Sequence, residues 1–175
     1  MMRFTPRPSR RLVYVQVSPE RILLRRVATG ETIDDVPQAA IDPQGAVVAF
    51  GRGAEDAVKW HPNLRLVNGF SHPRTLMGDV DVAAATLRAF LETMFPRMKR
   101  RIRPLKPDLV IHPVGADDLS GLEVWGLQRV AELAGARHVS LWQGEEPAYE
   151  TLVRGVAQPS GAFRTLGKLP STPRA

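Results

Sequence analysis

The sequence predicts an α/β domain, a mixed β-sheet flanked by helices, and three observations carry that prediction. Short aliphatic and β-branched runs come first and are joined by turn residues. Later runs of the same kind alternate with segments of helical periodicity. The 175 residues, 43% hydrophobic and 24% charged, are enough for one core without help from metal or disulfide.

The first pair of strands is Leu12–Val17 with residues 21–27, separated by Ser18-Pro19-Glu20. A second pair is expected at 36–41 and 46–50, around Asp42-Pro43-Gln44-Gly45. There Pro presets one dihedral and Gly accepts positive φ. A short helix over 54–60 precedes an irregular stretch in which Asn68-Gly69 marks a tight turn. The clearest helix starts from an Asp81 cap and repeats Val82, Leu87, Phe90, Leu91 and Met94 at helical spacing, until Pro96 ends it. Residues 108–114, Asp-Leu-Val-Ile-His-Pro-Val, read as a buried strand. A second long helix is expected from an Asp117-Asp118 cap, with Leu119, Leu122, Val130 and Leu133 on one face and Gly135 as its stop. Another strand at 139–142 and a helix opened by Pro147 and running to about Arg154 complete the domain. This order is that of the ribonuclease H type of α/β sheet. The expected organisation is a basic flexible N-terminus at 1–11, the domain at 12–154, and a flexible tail at 155–175 rich in Pro, Ser, Gly and Arg.

The absence of cysteine removes disulfides, thiolate metal sites and cysteine nucleophiles, and suits a reducing cytoplasm. No apolar run approaches the ~20 residues that span a bilayer. A net charge of +6 raises the prospect of contact with nucleic acid, anionic lipid or an acidic protein. Much of the excess sits in residues 1–11, in Arg97-Met98-Lys99-Arg100-Arg101-Ile102-Arg103 and in the tail. Solvated basic linkers, or weak non-specific nucleic-acid binding, both fit that distribution.

Candidate chemistry is sparse. His61, His72, His112 and His138 match no metal-ligand spacing, and His112 reads as a hydrogen-bonded core histidine. The acidic pairs Asp34-Asp35, Asp79 with Asp81, Asp117-Asp118 and Glu145-Glu146 read as helix caps and first-turn charges. A nuclease of the ribonuclease H type needs a carboxylate on its first strand to clamp metal ions, and Leu12–Val17 has none. Gly51-Arg52-Gly53 lacks the rest of a dinucleotide fingerprint, and no metal site is expected. Trp60, Trp125 and Trp142 read as core or rim anchors.

Several landmarks, in order, carry a family resemblance. Thr75-Leu76-Met77-Gly78-Asp79-Val80-Asp81-Val82 leads into a helix. Pro113-Val114-Gly115-Ala116 follows a strand, and Ala134-Gly135-Ala136-Arg137-His138-Val139 and Glu145-Glu146-Pro147-Ala148 come after it. Together they resemble the first lobe of the MreB-like bacterial actins over residues 12–152, with a few extra residues after Ala116 and at Gln143-Gly144. The resemblance implies an actin-like fold and a hairpin that, in the family, grips nucleotide through an Asp-x-Gly-Thr loop. Here Gln16, Val17, Ser18 and Pro19 stand at that loop. Gln16 offers Mg²⁺ no anionic oxygen, and Pro19 has no N–H for a phosphate. The family's second phosphate loop belongs to a second lobe that has no counterpart in these 175 residues.

The reading that follows is a non-catalytic actin-like scaffold or adaptor related to the MreB cell-shape cytoskeleton, not an enzyme, with no cofactor and no ATP binding of its own. The alternatives are a truncated MreB paralogue without a distinct role and a basic nucleic-acid-associated protein. The expected partner is a second copy or a full-length actin-like relative. The resemblance also implies an apolar sheet face left open unless the tail covers it, because in the family helices from the chain's C-terminal end cover part of that sheet.

Overall fold

The computed structural model describes residues 9–71, 78–99, 104–115, 119–155 and 163–166, the side chains of the last two helical residues and of 163–166 excepted. The six-stranded main sheet takes β1 (Leu12–Val17), β2 (Ile22–Arg26) and β3 (Thr32–Asp35) from an antiparallel meander. Parallel to β1 run β7 (Asp108–Pro113) and then β8 (His138–Trp142), and β9 (Phe163–Leu166) closes the far edge antiparallel. A three-stranded sheet of β4 (Ala39–Ile41), β5 (Val47–Phe50) and β6 (Arg65–Val67) carries the short helix α1 (Gly53–Trp60).

The two long helices, α2 (Val80–Met94) and α3 (Gly121–Leu133), cover one face of the main sheet. Strand alternation decides which residues meet them. Val13, Val15 and Val17 of β1 point that way with Leu109 and Ile111 of β7, against Leu87, Phe90, Leu91, Leu127 and Val130. Burying each of these side chains fully contributes ~1.5–3 kcal/mol. The other face presents Leu12, Tyr14, Val110 and Trp142. These residues are buried too, packed with Leu152 (2% exposed) of α4 (Tyr149–Gly155). The open apolar sheet face expected from the sequence is therefore closed within this chain, and α4 takes part in the cover.

Other expectations need correction. The N-cap of α2 is Asp79, whose carboxylate accepts from the N–H groups of Asp81 and Val82. The cap of α3 is Ser120, in a reciprocal capping box with Glu123. Asp117 and Asp118 lie outside the described residues. Within α3 the buried set is Gly126, Leu127, Val130 and Ala131, whereas Leu122 is 73% and Trp125 52% exposed. Leu122, Trp125 and Leu133 share the outer face, whereas Val130, about 80° round from Leu122, is fully buried. Beta strands also form at 32–35 and 65–67, where none was expected, and β9 lies inside the segment read as tail. The main sheet thus extends past residue 154. Residues 156–162 and 167–175 fall outside the described part.

Candidate functional site

The parallel strands β1, β7 and β8 end side by side, and a cavity of about 380 Å³ opens over their C-terminal ends. Among its lining residues are Gln16, Ser18, His112, Gly115, Gly144 and Glu146. The register explains the meeting of the first and third: Gln16 lies opposite His112 across the β1–β7 ladder. Both stand on the face of the sheet that carries Tyr14.

One hydrogen-bonded chain runs through these groups. His112 Nε2 lies 2.8 Å from the Gly144 carbonyl, which can only accept, so that nitrogen carries the proton. In the neutral ring Nδ1 is then an acceptor, and the Tyr14 hydroxyl donates to it at 2.6 Å. The Tyr14 oxygen in turn accepts from Gln16 Nε2 at 3.1 Å. Burial pushes the His112 imidazole below its ordinary range, against the opposing pull of the Gly144 carbonyl and the Glu146 carboxylate. Burial likewise pushes the Tyr14 hydroxyl up to about 12, with the Gln16 hydrogen bond opposing. Both groups are thereby held neutral at physiological pH. The loop after β8 is held at further points. Arg25 pairs with Glu146 at 3.1 Å, and Trp142 Nε1 donates to the Glu145 carbonyl at 2.7 Å.

The turn between β1 and β2 is equally self-contained. Ser18 N–H donates to the Arg21 carbonyl at 2.9 Å. The Ser18 hydroxyl accepts from the N–H groups of Glu20 and Arg21 at 3.3 and 3.1 Å. Pro19 has no N–H, and its carbonyl accepts from Asn68 Nδ2 at 2.7 Å. Every backbone donor from Ser18 to Arg21 is thus used inside the turn. Asn68 also accepts from Phe70 N–H through its side chain, and the Gly69 carbonyl accepts from Gly78 and Asp79. A side chain at Gly69 would collide with the Ala83 backbone of α2, so the turn, the Asn68 loop and the start of α2 interlock.

The acidic pairs do not converge. Asp34 makes two bonds to Arg21, at 2.8 and 2.7 Å, and that guanidinium holds its carboxyl below the usual range. Asp35 accepts from the backbone of Val36 and Arg52. Asp79 caps α2, and among the described pairs Glu145-Glu146 alone reaches the cavity. His112 is bonded at both nitrogens, as a core histidine should be. Sequence reasoning placed Gln16, Val17, Ser18 and Pro19 at this site, and all four line it or turn beside it. It missed Tyr14, Asn68 and Gly144. The alternation of β1 does put Tyr14 and Gln16 on one face, but nothing local pairs them with His112.

No family model matches the chain, and no curated protein sequence does. Among solved structures it is similar to MreB5 of Spiroplasma citri bound to AMPPNP, with a TM-score of 0.54 and 22% identity, over 78% of this chain and 39% of that one. It is also similar to MreB5 of Spiroplasma citri bound to ADP, with a TM-score of 0.53 and 20% identity, over 75% of this chain and 37% of that one. The chain therefore spans about two fifths of the length of these structures. At such identity the likeness speaks for the fold alone: a mixed sheet flanked by helices, of the actin-like kind.

Proposed function

We propose that this chain is a non-catalytic actin-like scaffold or adaptor of MreB-type cell-shape filaments, working in the cytoplasm through contacts with itself or with a full-length actin-like relative. It binds no ATP by itself and needs no cofactor. The observation that carries this reading is the β1–β2 turn. The solved relatives hold AMPPNP and ADP, and a phosphate needs free N–H groups and a metal-holding anion at such a loop. Here the turn's own N–H groups are spent, Pro19 contributes none, and Gln16 is tied to Tyr14. Protein contact is supported by the outer face of α3, where Leu122 and Trp125 stand exposed three residues apart. Calorimetry with ATP and Mg²⁺ is expected to give no binding up to millimolar nucleotide. A micromolar dissociation constant for this chain alone overturns the reading. Light scattering at micromolar concentration, and co-sedimentation with a full-length actin-like protein, are expected to reveal a complex. A strict monomer that joins no filament removes the scaffold role.

A further inference from the structure

The opposite end of the main sheet is built differently. There a cleft of about 370 Å³ lies where β1 and β7 begin and β2 ends, and four arginines line it: Arg10, Arg11, Arg26 and Arg97. They arrive from three separate segments: the lead-in to β1, the end of β2, and the turn after α2. We infer that this cleft is a binding site for a small phosphate anion, such as a terminal phosphate group or pyrophosphate.

Charge balance is the first support. Arg26 alone of the four has a carboxylate, Glu31, at 3.1 Å. The guanidinium groups of Arg10, Arg11 and Arg97 have no ion pair or hydrogen bond among the described residues. The flanking stretches 1–11 and 97–107 contain no Asp or Glu that could neutralise them. Gathering unpaired like charges around one cleft costs energy that an anion recovers.

Preorganisation is the second support. The Arg26 guanidinium lies 4.6 Å over the Phe95 ring, which fixes its plane, and its buried Nε–H has no acceptor among the described residues. A planar fork held in place binds phosphate oxygens with less loss of side-chain freedom than a mobile one.

Size and surface choose among phosphate sources. The cleft has room for one or two phosphate groups and not for a duplex. Its apolar base is Phe95, only 4% exposed, and half-buried Leu105, so it offers a bilayer no anchor. Nucleic acids and anionic lipids share the phosphate chemistry, and the test separates them.

The full chain is titrated with pyrophosphate by calorimetry at physiological ionic strength. Saturable binding of one anion per chain is expected. Arg11→Gln and Arg97→Gln, both at exposed positions, are each expected to weaken it about tenfold, the loss of one charge-assisted contact. Arg52→Gln is the charge-matched control, because Arg52 is exposed and lies on the other sheet's side of the fold near Asp35. It is expected to leave binding unchanged. Absence of saturable binding overturns the assignment, as does equal weakening by Arg52→Gln. So does tight binding of an oligonucleotide, or of phosphatidylcholine–phosphatidylglycerol vesicles, that pyrophosphate cannot displace.

Discussion

The two ends of the six-stranded sheet solve opposite problems with the same strands. At the C-terminal ends of β1, β7 and β8, Gln16, Tyr14, His112 and Gly144 use one another as partners, and the adjoining turn spends its own N–H groups. At the other end, the guanidinium groups of Arg10, Arg11 and Arg97 have no partner among the described residues. In an actin-like fold the first end is where nucleotide would be sought. In the reading proposed above, its polar groups serve stability, and the groups that await a ligand lie at the far side. A cavity's place in a fold is thus a poor guide to its use, and the state of its donors and acceptors is a better one.

If the first end is structural, breaking its chain should cost the most. His112→Ala removes a buried ring and leaves the Tyr14 hydroxyl and the Gly144 carbonyl without their partner. The expected loss is about 3 kcal/mol, roughly 6–12 °C in melting temperature for a chain of this size. A double-mutant cycle with Tyr14→Phe should give a coupling of about 1 kcal/mol. Strict additivity would mean that the two residues do not act as one chain.

The same chain sets the response to pH, with two signs to work out. The imidazole of His112 has its folded pKa depressed below the ordinary 6.5. Its neutral form is the one the fold prefers, so its contribution is present above pH 6.5 and is lost as pH falls below it. The slope reaches at most about 1.4 kcal/mol per pH unit. Charge carried by Glu146 and by Arg25 beside Tyr14 modulates that loss without reversing it. Tyr14, raised from 10.0 to about 12, contributes stability that is lost as pH rises past 10. Urea unfolding across pH 4–11 should therefore fall off on both sides, and His112→Asn should flatten the acid limb. An unchanged acid limb in that variant would place the titration elsewhere.

How far the sequence announces all this differs between elements for physical reasons. The helix α2 and the strand β7 are legible because each has a fully apolar face, and burial dictates their period. Thr32–Asp35 and Arg65–Val67 are strands of four and three residues, half-exposed or more, whose conformation comes from the neighbour they pair with. Phe163–Leu166 likewise takes its strand form from β8. Ser120 outcompetes Asp117-Asp118 as the cap of α3 because Glu123 stands three residues on and can answer it. At the candidate site, Gln16, Ser18 and Pro19 could be picked out against a family pattern. Asn68, which bonds Pro19, and His112 and Gly144, which continue the chain from Gln16 through Tyr14, are brought there only by the fold. The arginines of the far cleft read as separate basic linkers for the same reason.

The turn between β1 and β2 gives a smaller effect. Ser18→Ala removes the acceptor for two N–H groups in an exposed turn, and about 1 kcal/mol should be lost. The freed N–H groups should still not recruit ATP, because Pro19 and Gln16 remain. Thermal melts with and without nucleotide read both at once. A nucleotide-dependent rise in melting temperature in Ser18→Ala would show that the hydroxyl alone keeps the turn closed.

The smallest expected effect is the most diagnostic of the contrast between the two ends. Arg11 and Arg97 hold no carboxylate among the described residues, so removing either charge takes away no contact that the fold depends on. Their side chains lie among like charges, and each arginine adds repulsion that the folded state must carry. Arg11→Gln and Arg97→Gln should therefore leave unfolding free energy within about 0.5 kcal/mol of the parent, with any change toward greater stability at low salt. Raising the salt should stabilise the parent more than the variants, because screening relieves what the substitutions already relieve. Pyrophosphate should raise the parent's melting temperature and raise the variants' less, since only a ligand of the folded state shifts the equilibrium. Urea titrations at two ionic strengths measure the first two effects, and melts with added anion the third. A loss above 1 kcal/mol in either variant would mean that these arginines, like His112 at the other end, are structural.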